Sequence, residues 1–314
     1  MRIGTRRSAL ALAQAESVAA LLADVGGDGA GGSSERPEIV PIVTSGDRGA
    51  GVDGVHDKSR WVSELESALL AGEIDLAVHS AKDLPARPAE GLELLGSPPR
   101  AAAEDVLCGS AGLSALAAGA RVGTSSLRRL AQLRCARSDL ELVGLRGNVD
   151  TRLAKLNDGE QRLDAIVLAR AGLQRLGRED EAGGTLDAAA FVPAPGQGAL
   201  ALEGRAGDQA ARAAVALITD LDTLAALLAE RSVARELEAD CDTPLGAHAT
   251  PGADGALLLR AWVGLPDGSA YACDELEGSL ADAEALGAEV AARLRSAGAD
   301  ELLAQARREA AGGR

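Results

Sequence analysis

Three segments of this chain run from apolar residues into polar clusters, and a fourth carries an isolated cysteine. Ile74-Asp-Leu-Ala-Val-His-Ser-Ala-Lys-Asp83 ends in His79, Ser80, Lys82 and Asp83. In parallel α/β sheets ligands sit beyond the carboxyl ends of strands, where this tetrad falls. A carboxylate beside a lysine stays ionised and offers itself to a cation or an N–H donor. A turn closed by a local salt bridge accounts for the same residues equally well. Val122-Gly-Thr-Ser-Ser-Leu-Arg-Arg129 reads as a strand, a hydroxyl-rich turn and a helix start. Thr124, Ser125 and Ser126 can cap that helix, whose free N–H groups favour an anion. Arg128 and Arg129 add bidentate donors for a carboxylate. The competing reading is an ordinary cap with a solvated first turn.

Leu145-Arg-Gly-Asn-Val-Asp-Thr-Arg152 repeats the design, with Asn148 as cap and Arg146 and Arg152 on either side. Arg6, at the end of the first strand, makes a third unit of this kind. Two such devices in successive β–α units point to a shared anion site, which neither would do singly. Cys241 lies in Glu238-Ala-Asp-Cys-Asp-Thr-Pro-Leu-Gly246, just past a long helix. Acids on both sides raise a thiol pKa if anything, and no histidine stands near it in sequence. On composition alone it reads as inert.

The elements that must position these residues alternate. Strands are predicted at Arg2–Thr5, Glu38–Val43, Ile74–Val78, Leu92–Leu95, Val106–Gly109, Arg121–Gly123, Leu140–Leu145 and Asp164–Ala169. Helices fall at about Ser8–Val25, Trp61–Ala71, Ser126–Ala136 and Val149–Asn157. This rhythm predicts α/β domains with mixed, mostly parallel sheets. Arg48–Lys58, with three glycines, is a flexible loop and a candidate lid. Pro98-Pro99 marks a hinge out of the first domain, and Pro193-Ala-Pro-Gly-Gln-Gly198 the return. A long helix (Asp222–Ala239), the Cys241 loop, a hairpin at Pro266-Asp-Gly268 and two closing helices read as a small α+β domain. The predicted division is 1–98 with 199–218, then 99–198, then 219–314.

Composition narrows the function classes. The 314 residues suffice for two or three cores, and 46% hydrophobic content excludes disorder as the default. The net charge of −15 argues against a nucleic-acid or anionic-membrane binder. Yet Arg121–Lys155 carries seven arginines and one lysine against three acids, a basic island suited to a small anion. No apolar run of spanning length and no signal-peptide pattern stand out, so a cytoplasmic location is expected. Four scattered cysteines and three scattered histidines show no zinc spacing, so neither a metal nor a disulfide is expected.

The segments together resemble the hydroxymethylbilane synthase family, also called porphobilinogen deaminase. The resemblance runs in order through R-I-G-T-R-R-S at Arg2–Ser8, T-S-G-D at Thr44–Asp47, A-V-H-S-A-K-D at Ala77–Asp83 and G-T-S-S-L-R-R at Gly123–Arg129. It continues through L-R-G-N-V-D-T-R at Leu145–Arg152, A-G-L-Q-R-L-G at Ala171–Gly177, P-G-Q-G-A at Pro195–Ala199 and C-D-T-P-L-G at Cys241–Gly246. One such motif is weak and eight collinear ones are strong.

The resemblance implies two periplasmic-binding-protein-like (type II) domains plus a small α+β C-terminal domain, in a monomer. It implies a dipyrromethane cofactor bound covalently to Cys241 through a thioether, and porphobilinogen as substrate, condensed four times with loss of ammonia. Asp83 matches the catalytic aspartate. Ser80, Lys82, Thr124, Ser125, Ser126, Arg128, Arg129, Arg146 and Gln197 match cofactor-binding positions, and Arg6, Lys58, Arg152 and Arg175 substrate-binding ones. No nucleic acid, membrane or metal is implied. The chain departs from the family in the lid, His56-Asp-Lys-Ser-Arg-Trp61, and at Ala102-Ala-Glu-Asp105, where the pattern is D-P-R-D and Glu104 receives no role. The alternatives are a non-catalytic small-anion-binding protein of the same architecture and an inactive homologue.

Overall fold

The computed structural model describes residues 1–26, 36–44, 59–159, 161–239 and 243–312. They form two compact units, Met1–Arg100 with Ala199–Leu224, and Ala101–Gly198 with Ala225–Arg314. The second unit holds most of the segments predicted as second and third domains, while residues 99–100 and 219–224 fall in the first.

The first unit contains β1 (Arg2–Arg6), α1 (Ala9–Gly26), β2 (Glu38–Ile42), α2 (Ser59–Leu70), β3 (Leu76–Ser80) and β4 (Leu92–Gly96). In chain-order numbering, the returning segment adds β10 (Leu200–Arg205) and α6 (Gln209–Ala216). Its sheet has the order β2-β1-β3-β10-β4. The β1 pairings are parallel, and β10 runs antiparallel to both β3 and β4. Ile3, Leu76, Val78, Leu200 and Leu202 pack beneath Ala15, Val18 and Ala19 of α1.

By length and composition α1 could cross a membrane, contrary to the reading that no run is long enough. Here its apolar residues serve a core. Ala11, Ala15, Val18, Ala19 and Leu22 recur at helical spacing and are buried against the sheet.

The second unit contains β5 (Asp105–Cys108), β6 (Arg121–Gly123), α3 (Leu127–Ala136), β7 (Glu141–Val143), α4 (Val149–Asn157), β8 (Ala165–Ala169), α5 (Arg170–Arg175) and β9 (Gly184–Leu186). The order β7-β6-β8-β5-β9 repeats the first sheet's plan, with β5 antiparallel to both its neighbours. The sheets are mixed as expected, and in each the antiparallel pairings equal the parallel ones in number. The sequence pattern does not single out β9, β10, α5 or α6. Three residues are too few to show alternation, and Leu-Ala-Leu-Glu-Gly-Arg reads as a broken strand because Glu203 is charged.

After α7 (Leu221–Glu236) come β11 (Leu245–Pro251), β12 (Ala256–Gly264), β13 (Tyr271–Ser279), α8 (Ala283–Ser296) and α9 (Ala299–Gly312). The three strands form an antiparallel meander. Its predicted turn at Pro266-Asp-Gly268 presses on α3. Gly268 has φ +75°, and a Cβ there would lie 2.7 Å from the Cβ of Arg134. Arg134 donates to the Pro266 carbonyl at 2.9 Å, while Trp262 packs on Ala131 and Val192.

Candidate active site

In the first unit, Arg6 ends β1 and Ser80 ends the adjacent parallel strand β3, so both sit at one carboxyl edge of the sheet. Lys82 and Asp83 follow in a single 3-10 turn, Ala81–Asp83, and are partly exposed. The Ala81 N–H donates to the Ala199 carbonyl at 3.1 Å, which ties this turn to the returning segment. Gln14 of α1 donates to the Ser80 hydroxyl at 2.7 Å. His79 does not join this edge. It lies inside β3, 6% exposed, with Nε2 3.0 Å from the carboxylate of Glu203, which is fully buried. Strand alternation sends it to the opposite face from Ser80. Burial, then the charge of Glu203, pushes the carboxyl of Glu66 in α2 upward. Lys58 lies outside the described residues.

In the second unit, β6 and β7 deliver their polar turns to one edge. The Thr124 N–H donates to the Val143 carbonyl at 2.9 Å, and the Ser125 hydroxyl to the Leu145 carbonyl at 3.0 Å. Asn148 caps α4 as predicted, its Oδ1 accepting from the Thr151 N–H at 2.8 Å. The α3 cap is different. Ser126 holds the cap position without a side-chain cap bond, and Thr124 Oγ1 accepts from the Ser126 N–H at 3.3 Å instead. Arg146 is exposed, and Arg152 is partly exposed with Nε donating to the Gly147 carbonyl at 2.7 Å. Arg175, at the end of α5, donates to the Gly198 carbonyl at 2.7 Å, and burial lowers its pKa to about 10.

Arg128 and Arg129 do not form a solvated first turn. Both are buried, and both bind Asp105, the first residue of β5. Arg128 Nη2 meets Oδ2 at 2.6 Å, and Arg129 Nη2 meets Oδ1 at 2.7 Å. Gln197 Nε2 donates to the same Oδ1 at 2.9 Å and to the Ala103 carbonyl at 2.7 Å. Burial works against ionisation of Asp105, but the two guanidinium groups hold its carboxyl well below the usual range. Sequence reasoning assigned Asp105 no role. The available signal was an acid opening the otherwise apolar strand Asp-Val-Leu-Cys.

Another buried acid lies outside the motifs singled out in the sequence. Glu230 of α7 is fully buried and accepts from the N–H groups of Gly196 at 2.6 Å and Ala249 at 2.8 Å. It thereby joins the Pro195–Gly198 turn to β11. Replacing Glu230 by Ala strands both buried N–H groups, at roughly 1–3 kcal/mol each. A loss of about 2–6 kcal/mol is therefore expected in equilibrium urea unfolding; an unchanged midpoint would contradict this bridging role.

The chain's relatives supply the context for this geometry. Residues 1–213 match the family model "Porphobilinogen deaminase, dipyromethane cofactor binding domain", and residues 224–296 match "Porphobilinogen deaminase, C-terminal domain". The porphobilinogen deaminase of Trichlorobacter lovleyi is 44% identical over 306 residues, covering 96% of this chain and 95% of that protein. Those of Deinococcus radiodurans and Thermus thermophilus are 44% and 43% identical over 312 and 307 residues, covering 96–97% of this chain and 97–98% of theirs. The chain belongs to the porphobilinogen deaminase family. A periplasmic substrate-binding protein of Coxiella burnetii superposes with a TM-score of 0.42 at 14% identity, over 69% of this chain and 91% of that one; this is too low to bear on the assignment.

The second unit's residues suit the anionic cofactor for which the family's N-terminal domain is named. Two guanidiniums face one carboxylate in a buried cluster, and Arg128 Nε is buried with no hydrogen-bond partner among the described residues. A site short of negative charge accommodates a ligand that carries carboxylates. Cys241 itself lies outside the described residues. Of the other cysteines, Cys108 is buried, with its thiol pushed up to about 11 by burial and by Glu181. Burial and Asp267 also raise the thiol of Cys135, which donates to the Gly268 carbonyl.

Proposed function

We propose that this chain is a hydroxymethylbilane synthase, a transferase of tetrapyrrole synthesis that condenses four porphobilinogen molecules head to tail. The cofactor, a dipyrromethane joined to Cys241 by a thioether, supplies the free pyrrole α-carbon on which the chain grows. Porphobilinogen loses its aminomethyl nitrogen as ammonia, leaving a cationic azafulvene. Asp83 holds the pyrrole N–H and stabilises that cation. Its worth there is greatest because the charge exists only as the C–N bond breaks. The new C–C bond would be made at the free α-carbon that the bound cofactor would supply, with loss of that carbon's proton balancing the step. Each unit brings two carboxylates, so negative charge accumulates as the chain lengthens. Arg6, Arg146, Arg152 and Arg175, with Lys58 and Lys82, offset it. Ser80, Thr124, Ser125, Ser126 and Gln197 contribute uncharged donors, while Arg128 and Arg129 meet the cofactor's carboxylates.

The reading rests on one observation above the rest: both family models match collinearly, in a chain that retains Asp83, the arginine-bearing strand ends and Cys241. Intact mass spectrometry of the protein mixed with limiting porphobilinogen tests it. The expected result is a primed protein plus a ladder of equal covalent increments, each accompanied by one ammonia. Active protein with unmodified Cys241 would overturn the reading.

A further inference from the structure

Asp105 occupies an unusual position for a charge. It is fully buried in β5, with its backbone registered against Ala169 of β8 on one side and Leu186 of β9 on the other. Arg128 and Arg129 are consecutive in the first turn of α3, so their side chains leave the helix about 100° apart. Both nevertheless converge on this one carboxylate, one on each oxygen. Each guanidinium is also tied at its far side. Arg128 Nη1 donates to the Val192 carbonyl at 2.7 Å and Arg129 Nη1 to the Val167 carbonyl at 2.9 Å. The Phe191 ring lies 5.7 Å from the Arg128 guanidinium carbon. Neither guanidinium can therefore turn without giving up a short bond at both ends.

We propose that Asp105 is a positioning residue, which fixes the two guanidinium groups and sets the cluster's surplus at one positive charge, reserved for one ligand carboxylate. The charge balance makes the second half of the claim. Among the described residues, two buried cations and one buried anion leave an uncompensated charge, which a buried site retains only if something anionic completes it. The buried Arg128 Nε, which has no hydrogen-bond partner among the described residues, is the donor through which part of that completion can occur. A neutral residue at 105 would leave two cations repelling each other around one amide oxygen. It would add attraction for an anion while loosening the geometry that receives it. Position and attraction thus move in opposite directions, which a mere stability role does not produce.

This inference rests on the proposed function, since the ligand carboxylate is that of the cofactor or the growing chain. The test is Asp105→Asn, with kcat and KM for porphobilinogen expressed per adduct-bearing molecule, counted by intact mass. The expected result is a kcat at least tenfold lower with a KM no higher than that of the unaltered protein. Values of both within twofold of the unaltered protein, whatever the melting temperature does, would overturn the proposal. If Asp105→Asn does not fold or carries no adduct, Gln197→Leu decides. It removes the uncharged donor to Asp105 Oδ1 and is expected to lower kcat per adduct-bearing molecule two- to fivefold; an unchanged kcat there overturns the proposal. Failure of the functional reading is separately visible, because the unaltered protein would then be active without an adduct.

Discussion

Asp83→Ala is expected to lower the rate of porphobilinogen consumption by about 10²–10³-fold, the range seen when one electrostatic stabiliser of a developing charge is removed. The fold should be indifferent to it. Asp83 ends a short turn beyond β3 and is only partly buried, so truncation opens no core cavity. Stability changes at such sites stay within about 0.5 kcal/mol. Asp83→Asn distinguishes charge from shape, since the amide keeps the volume and an acceptor oxygen but loses the charge that stabilises a cation. A thermal melt beside steady-state kinetics decides the matter. A variant that melts normally and turns over normally would remove Asp83 from the chemistry.

Cys241→Ala is expected to abolish both the covalent adduct and turnover, while Cys108→Ala, Cys135→Ala and Cys273→Ala each retain them. The contrast has a physical basis. A thiol pushed up to about 11 in the core is protonated at neutral pH and out of a ligand's reach, which describes Cys108. Cys135 is held against the Gly268 carbonyl beside the β12–β13 turn, and Cys273 is exposed on β13. Cys241 has no activating base in sequence, and the tether proposed for it needs none. A pyrrole-derived cation is electrophilic enough to be captured by an ordinary thiol, and the bond formed persists. Peptide-mapped mass spectrometry of the four variants provides the measurement. An adduct that moves to another cysteine, or turnover surviving in Cys241→Ala, would contradict the tether.

Much of the fold could be read from pattern. The β1, β6, α3 and α4 boundaries fall within a residue or so of those predicted, because alternation and helical spacing report local exposure directly. The pattern failed where a charge is buried. Glu203 hides β10 because its partner His79 lies 124 positions away in the chain. Asp105 and Glu230 were passed over for the same reason. An acid's sequence neighbours describe a solvated residue until the partners that desolvate it are known.

The sequence by itself determined the family, the alternating architecture, and the identities of Asp83 and Cys241 as the residues to test. All of these rest on residue order and motif, which survive in one dimension. The tertiary structure alone decided the state of Arg128 and Arg129. Their spacing says helix start, and a helix start is by default solvated. Only the closing of β5 between β8 and β9 sets Asp105 beneath them and turns two surface cations into a buried, anchored pair. Electrostatic energy depends on distance and on exclusion of water, and neither quantity exists along a chain until it folds.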